Sequence, residues 1–242
     1  ESLRRGHNNR SHYIGDPAFY DVPIQELISS KRTKELLSNI KFKTATPSAK
    51  IKPMSVVNES RDTTHYSIID SEGNAVSNTY TLGYSFGSGV TIPGTGILMN
   101  NQMNNFAYRY GDTSVSGRAA SPANKFEAGK RPMSTMTPTM VFNRSGELTL
   151  VTGSPGGSFI PAAVLRVVSG IIDFNLNIGE ATMLPRIHKD WPYSGLDHES
   201  ILSSDISRQL GIMGHQPESQ KTMGSTQSIH IKNGINYGYA DL

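Results

Sequence analysis

The sequence contains no cysteine among its 242 residues. Disulfides, thiolate metal sites and cysteine nucleophiles are therefore excluded. No apolar run approaches the roughly 20 residues that a membrane-spanning helix needs. No secretory signal is visible, but the chain opens on Glu1, so that silence settles nothing about export. Charge is sparse at 18% of residues, and tryptophan occurs once. The net charge of +3 comes from the first 62 residues, as at Lys31, Arg32 and Lys34. A nucleic-acid surface needs a clustered basic stripe with stacking aromatics, and these residues read instead as a solvated helix face. The seven histidines form no H-E-x-x-H or comparable metal spacing.

What is present is 36% apolar residues, 23 glycines and 13 prolines, a balance that suits a sheet-rich globular chain. Residues 1–20 read as polar and turn-rich. Ile24, Leu27, Ile28, Leu36, Leu37 and Ile40 recur roughly at helical spacing and predict a helix over 24–40. Residues 41–62, with Pro47, Pro53 and a polar end, read as a linker. At Thr63 the pattern switches. Two β-rich runs, 64–70 and 75–82, flank a turn at 71–74 and predict a hairpin. Short strands are expected at 97–99, 139–142 and 148–152, the last two paired across 143–146. Residues 161–172 are apolar nearly throughout and predict a buried helix, and 200–211 predict a surface helix. Runs 226–231 and 235–239 form a closing hairpin across Lys232–Gly234. Residues 107–130 follow neither period, and a loop of that length is an active-site lid or a mobile surface loop.

Three segments could carry chemistry. Gly83-Tyr-Ser-Phe-Gly87 fits the G-x-S-x-G spacing, but that elbow needs a helix directly after the serine, and Ser88-Gly89 followed by Val90–Pro93 cannot start one. A turn after a strand is the better reading. Gly153-Ser-Pro-Gly-Gly-Ser158 lacks the Gly-Lys-Ser/Thr end of a P-loop. Its paired glycines between an apolar strand and an apolar helix suit an oxyanion hole, and equally suit a plain tight turn. Asp62-Thr63-Thr64-His65-Tyr66 is the third. A threonine hydroxyl is a poor nucleophile without a base, but an N-terminal threonine carries its own in the α-amino group. That amine has a reference pKa of about 8, so a useful fraction is neutral near pH 7. From spacing alone, Thr-Thr opening a strand is ordinary β-propensity.

Longer stretches resemble the γ-glutamyltransferase family. Thr63–Ser67, Asp70, Gly73–Val76 and Thr79–Leu82 resemble the start of that family's small subunit. Leu98–Met103, Lys130–Ser134, Met136–Thr139, Leu150–Ser158, Pro185–His188 and Met223–Ser228 continue it, and Arg10–Pro17 resembles the end of the large subunit. The resemblance implies an α+β fold, the αββα four-layer sandwich of N-terminal-nucleophile hydrolases, completed by large-subunit residues from outside this chain. It implies a large-subunit part at 1–62 and a small catalytic subunit at 63–242. It implies a proenzyme that cuts itself between Asp62 and Thr63, with Thr63 then attacking a γ-glutamyl amide. By motif position Thr81 orients the nucleophile, and Gly156 and Gly157 form the oxyanion hole. Ser134 and Thr135 hold the donor's α-carboxylate, and Gln102 and Asn105 meet its α-amino group. Two departures stand out: Asn105 replaces a typical aspartate, and Gly83 replaces a common asparagine. Both weaken recognition of a free α-ammonium, so a poly-γ-glutamate depolymerase or an acylase is the alternative, and a non-catalytic relative a third. The chemistry requires no cofactor and no metal. The expected partners are a glutathione-like substrate and the large subunit of the same proenzyme, in a periplasmic or secreted location.

Overall fold

A computed structural model describes residues 1–51, 62–107, 122–191 and 195–241. In chain order the helices are α1 (Ser2–Tyr13), α2 (Ile24–Leu27), α3 (Ser30–Leu37), α4 (Ile160–Ile172), α5 (Ile178–Met183) and α6 (Ser204–Ile212). The first strands are β1 (Asp62–Ile69), β2 (Ala75–Gly83), β3 (Thr139–Phe142) and β4 (Leu148–Thr152). They are followed by β5 (Ile187–His188), β6 (Gly195–Glu199), β7 (Gln216–Gln220), β8 (Gln227–Lys232) and β9 (Ile235–Ala240). The chain divides into two compact units. One gathers Glu1–Glu59, Gln102–Ser134 and Ile187–Ser219, and the other Ser60–Asn101, Thr135–Arg186 and Gln220–Leu242.

The second unit holds β1, the strand of Thr63. Its antiparallel hairpin β1–β2 accompanies a four-stranded antiparallel sheet in the order β3-β4-β8-β9. Along β1 burial alternates: Thr63, His65, Ser67 and Ile69 are covered, while Thr64, Tyr66 and Ile68 are exposed. The covered side is polar and bonds the neighbouring sheet through its backbone. Ser67 Oγ donates to the Gln227 carbonyl (2.8 Å), and Ser77 Oγ donates to the Thr152 carbonyl (2.9 Å). Helices α4 and α5 pack on the four-stranded sheet around Leu150, Val167 and Ile178, with Val141, Ile171 and Tyr239 at the margin. Pro161 sits in the first turn of α4, where its missing N–H costs nothing. Leu165 and Ile172 remain half-exposed, so α4 buries one face rather than its whole circumference. The closing hairpin forms as expected, with positive φ at Asn233 and Gly234.

The first unit corrects several expectations. Residues 2–13, read as turn-rich, form α1, and its covered face is polar: Arg4, Arg5, His7, Asn9 and Ser11. Arg4 donates to Glu1, to the Thr46 carbonyl (2.6 Å) and to Ser48 Oγ (3.2 Å), while Arg5 pairs with Glu1 and Asn39. Apolar periodicity cannot reveal a helix whose buried side is satisfied by ion pairs. The single helix expected over 24–40 is two, because Ser29 leaves the helix and caps α3 by accepting from Arg32 N (3.0 Å). The run 97–99 makes only the bridge Thr91↔Leu98, in the second unit. Helix α5 and strands β5 to β7 were not anticipated. A signal for α5 was present: Asn177 and Glu180 form a capping box. Of the segment 107–130, residues 108–121 lie outside the described residues, as do residues 52–61 of the linker.

Candidate active site

Thr63 sits where the β1–β2 register slips. Asp62 pairs with Gly83, but Thr64 pairs with Tyr80, so Thr63 alone faces Thr81 and Leu82. Such a bulge re-aims side chains locally. Thr81 Oγ1 accepts from Gly83 N (2.9 Å), which holds the extra residue. Thr63 lines an open cleft of about 380 Å³ together with Thr64, His65, Tyr66, Ser67, Pro155, Ser225 and Gln227. The Asp62 side chain lies outside the described residues.

The loop opposite carries the paired glycines. Gly156 takes φ 130° and Gly157 φ 57°, both in the region that side-chain-bearing residues avoid. Both are buried, and Gly157 opens the 3₁₀ turn that runs into α4. Their N–H groups therefore stand at a helix start, where amides lack intrahelical acceptors. The loop is braced by Ser154 Oγ, which accepts from Ser225 N (3.0 Å). His65, on the covered side of β1, is bonded through Nδ1 to Thr79 Oγ1 (2.7 Å) and through Nε2 to Ser67 Oγ (3.1 Å). Burial pushes its pKa below the usual histidine range, which favours the neutral ring.

The expected donor-binding residues divide between the units: Gln102, Asn105 and Ser134 in the first, Thr135 in the second. Within the first, Asn105 Nδ2 donates to Gln102 Oε1 (2.6 Å) and to the Met133 carbonyl (3.4 Å). Asn124 Nδ2 donates to the Asn105 carbonyl (2.7 Å), and Asn124 Oδ1 accepts from Met133 N (3.0 Å). The network ties Gln102 and Asn105 to the segment that ends at Ser134. Ser134 is exposed and Thr135 is buried.

Residues 1–242 match the family model described as gamma-glutamyltranspeptidase. The chain belongs to the γ-glutamyltranspeptidase family. The Escherichia coli (strain K12) glutathione hydrolase proenzyme is 42% identical over 100% of this chain and 42% of its own length. The Pseudomonas aeruginosa (strain PAO1) glutathione hydrolase proenzyme is 37% identical over 96% of this chain and 42% of its own length. The chain thus spans less than half the length of these relatives. Among solved structures, a mutant Helicobacter pylori γ-glutamyltranspeptidase is 42% identical, with a TM-score of 0.69, over 74% of this chain and 98% of that one. The fold is the α+β N-terminal-nucleophile hydrolase type of the γ-glutamyltranspeptidases. Among the described residues no helix is long and apolar enough to cross a membrane.

Against that family background, Gly83 is not simply a lost side chain. It takes φ 95°, and the Asn101 amide fills the space that a Cβ at 83 would enter. Asn101 Oδ1 accepts from Tyr84 N (3.2 Å), so a neighbouring asparagine occupies the place. Sequence reading missed this, because the two residues meet only through the turn that joins them. That turn includes Gly83–Gly87, and no helix follows Ser85, as expected. Sequence spacing also gave no hint of a buried cluster in the first unit: His7, His188 and Asp190. Their ligand atoms lie within 4.8 Å of one another and could take a divalent ion, but His7 Nδ1 already meets Asp190 Oδ1 at 3.3 Å. Burial opposes charge on Asp190, yet the two histidines hold its pKa below the usual carboxylate range.

Proposed function

We propose that this chain is the C-terminal part of a self-processing γ-glutamyl amide hydrolase or transferase acting on glutathione-like donors, with Thr63 as nucleophile. One observation carries the reading: Thr63 lines a cleft with Pro155, the residue that leads into Gly156-Gly157. A nucleophile on a cleft whose wall leads into a pair of glycine N–H groups is the combination that acyl transfer needs. The solved relative adds support. It is matched over 98% of its length by 74% of this chain, the share that residues 63–242 occupy, being 180 of 242. The outer face of β1–β2 adds more, since Tyr66, Ile68, Val76 and Tyr80 are each more than 40% exposed. An exposed apolar face of this kind suits cover by a helix layer from other residues of the proenzyme.

In maturation the Thr63 hydroxyl attacks the Asp62 carbonyl carbon. The peptide becomes an ester as the Thr63 nitrogen leaves and takes a proton. Water then hydrolyses the ester, which releases the Asp62 carboxyl and a free Thr63 α-amine. In turnover that amine accepts the hydroxyl proton while the oxygen attacks the donor's γ-carbonyl. The oxyanion is received by the N–H groups of Gly156 and Gly157, and Thr81 orients the nucleophile. The proton passes to the leaving amine, and water or an acceptor amine resolves the γ-glutamyl ester. Ser134 and Thr135 take the donor's α-carboxylate, and Gln102 and Asn105 its α-amine. The carboxylate-clamping arginine expected of the family belongs to residues outside this chain. The reading places the enzyme in the periplasm or outside the cell.

The test is to express the full-length gene and record intact masses before and after a γ-glutamyl anilide is added. Cleavage before Thr63 and a γ-glutamyl adduct on that subunit are expected. Thr63→Ala should remain one chain and form no adduct. Normal cleavage of that variant would remove Thr63 from its role. The greater identity to glutathione hydrolase proenzymes favours glutathione-like donors over poly-γ-glutamate or acyl donors.

A further inference from the structure

We infer that His65 is a positioning residue that fixes the distance between the Thr63 strand and the oxyanion loop, and that it does so as the neutral tautomer with its proton on Nε2. The inference rests on the proposed acyl transfer at Thr63.

The geometry forms a closed circuit. His65 Nε2 meets Ser67 Oγ, Ser67 Oγ donates to the Gln227 carbonyl, and Gln227 N donates to the Gly153 carbonyl (3.1 Å). Gly153 returns to the start, because the His65 ring lies where a Cβ at 153 would stand. Only glycine admits the ring so closely. The circuit joins β1, β8 and the end of β4, and Thr79, opposite His65 in the register, adds β2. Gly153 opens the loop to Gly157, and Thr63 is two residues before His65 on the same side of β1. A shift of the ring therefore moves nucleophile and loop relative to each other.

The tautomer follows from counting protons. The Gln227 carbonyl can only accept, and Ser67 has one hydroxyl proton, which that carbonyl takes. Ser67 Oγ must then accept from the ring, so Nε2 carries the proton. Nδ1 is left as an acceptor for the Thr79 hydroxyl. Of the two neutral tautomers, only this one makes all three bonds at once. Burial lowers the pKa of the ring and a hydrogen bond to the Asn78 backbone raises it, with a net shift that favours the neutral ring.

The experiment uses the full-length, self-cleaved protein with Thr63 intact. Intact mass first reports whether a γ-glutamyl anilide acylates Thr63. Failure there in the wild type defeats the proposed function, whereas the ring tautomer is measured independently by ¹⁵N NMR of the histidine side chains. The expected spectrum places the bare nitrogen of His65 at Nδ1. A proton on Nδ1 overturns the inference. His65→Ala should still form the Thr63 adduct but lose kcat on the order of 10²-fold, the scale of a misplacement of about 1 Å, with KM nearly unchanged. His65→Gln, whose amide reaches the Nε2 position and donates to Ser67, should recover much of the loss. His65→Phe fills the space without donating and should not. Wild-type kcat in His65→Phe shows a space-filling role and defeats the inference. If His65→Ala does not fold, the Gln and Phe pair and the tautomer still decide.

Discussion

The Thr63 cleft and the Gln102–Asn105 segment are built in different ways. The cleft combines backbone conformation with side-chain braces: positive φ at Gly156 and Gly157, a bulge opposite Thr63, the Ser154 and Thr81 hydroxyls, and a glycine pressed against His65. The segment of Gln102 and Asn105 is held by side-chain amides that bond one another and the Met133 backbone. Backbone donors cannot be exchanged by substitution, so in the proposed reaction the glycine pair is sensitive to added volume. Exchanging Asn105 for aspartate keeps the shape and adds a charge, at the cost of the bonds that Nδ2 donates to Gln102 and Met133.

The largest effect should come from adding volume to the cleft. Gly157→Val forces a β-branched residue to φ 57° and blocks the approach of a carbonyl. Loss of an oxyanion donor costs on the order of 10²–10³ in kcat, and this variant should lose at least that while remaining folded. A folded variant with wild-type kcat reduces residues 153–158 to a turn and erases the contrast.

Changing charge in the donor segment should act on preference instead. A hydrogen bond to a charged partner contributes about 1.5–3 kcal/mol against about 1 for a neutral one. Asn105→Asp should therefore raise kcat/KM for γ-glutamyl over glutaryl anilide by about 1–2 kcal/mol, roughly tenfold. An unchanged ratio means that Asn105 does not face the donor's amine. A companion measurement sharpens the cleft side. Gly153→Ala overpacks against the His65 ring and should destabilise by about 1–3 kcal/mol in urea denaturation. The same change in a His65→Ala background should cost clearly less, and equal costs in both backgrounds would show that ring and glycine are not coupled.

The smallest effect is a pH dependence of stability. Burial holds the pKa of His65, His215 and His230 below the ordinary value of 6.5. The unfolded chain then binds more protons than the folded one below pH 6.5, so this contribution is full above 6.5 and is lost as pH falls toward the folded pKa values. The slope cannot exceed about 1.4 kcal/mol per pH unit for each ring, and solvent screening lowers it. A melting temperature that rises between pH 6.5 and 5.5 contradicts the sign.

How much of this could be read in advance differs between the two compact units. In the second unit the hairpins, β3 with β4, and helix α4 follow from alternation and apolar period, because one face of each element is apolar or packed at a fixed period. In the first unit α1 escaped, because Arg4 and Arg5 are buried through Glu1, Thr46 and Asn39, partners that no local pattern announces. The site divides in the same way. Thr63, Thr81, Gly156, Gly157, Gln102, Asn105, Ser134 and Thr135 were all named from motifs, but only by resemblance. Spacing alone left Thr63 as the start of a strand and Gly153–Ser158 as a turn.

The sequence by itself determined where strand β1 begins, which loop has the conformational freedom for an oxyanion site, and that this chain supplies no thiol. Those properties are local, carried by side-chain period, glycine content and composition. Tertiary structure alone decided that Thr63 and Pro155 share a cleft and that Asn101 fills the space beside Gly83. It also decided that His65, Gly153 and Gln227 close a circuit, and that His7 meets His188 and Asp190. Each of these depends on polar groups far apart in sequence finding complementary partners, and that pairing is set by how the strands stack and register, which no single segment contains.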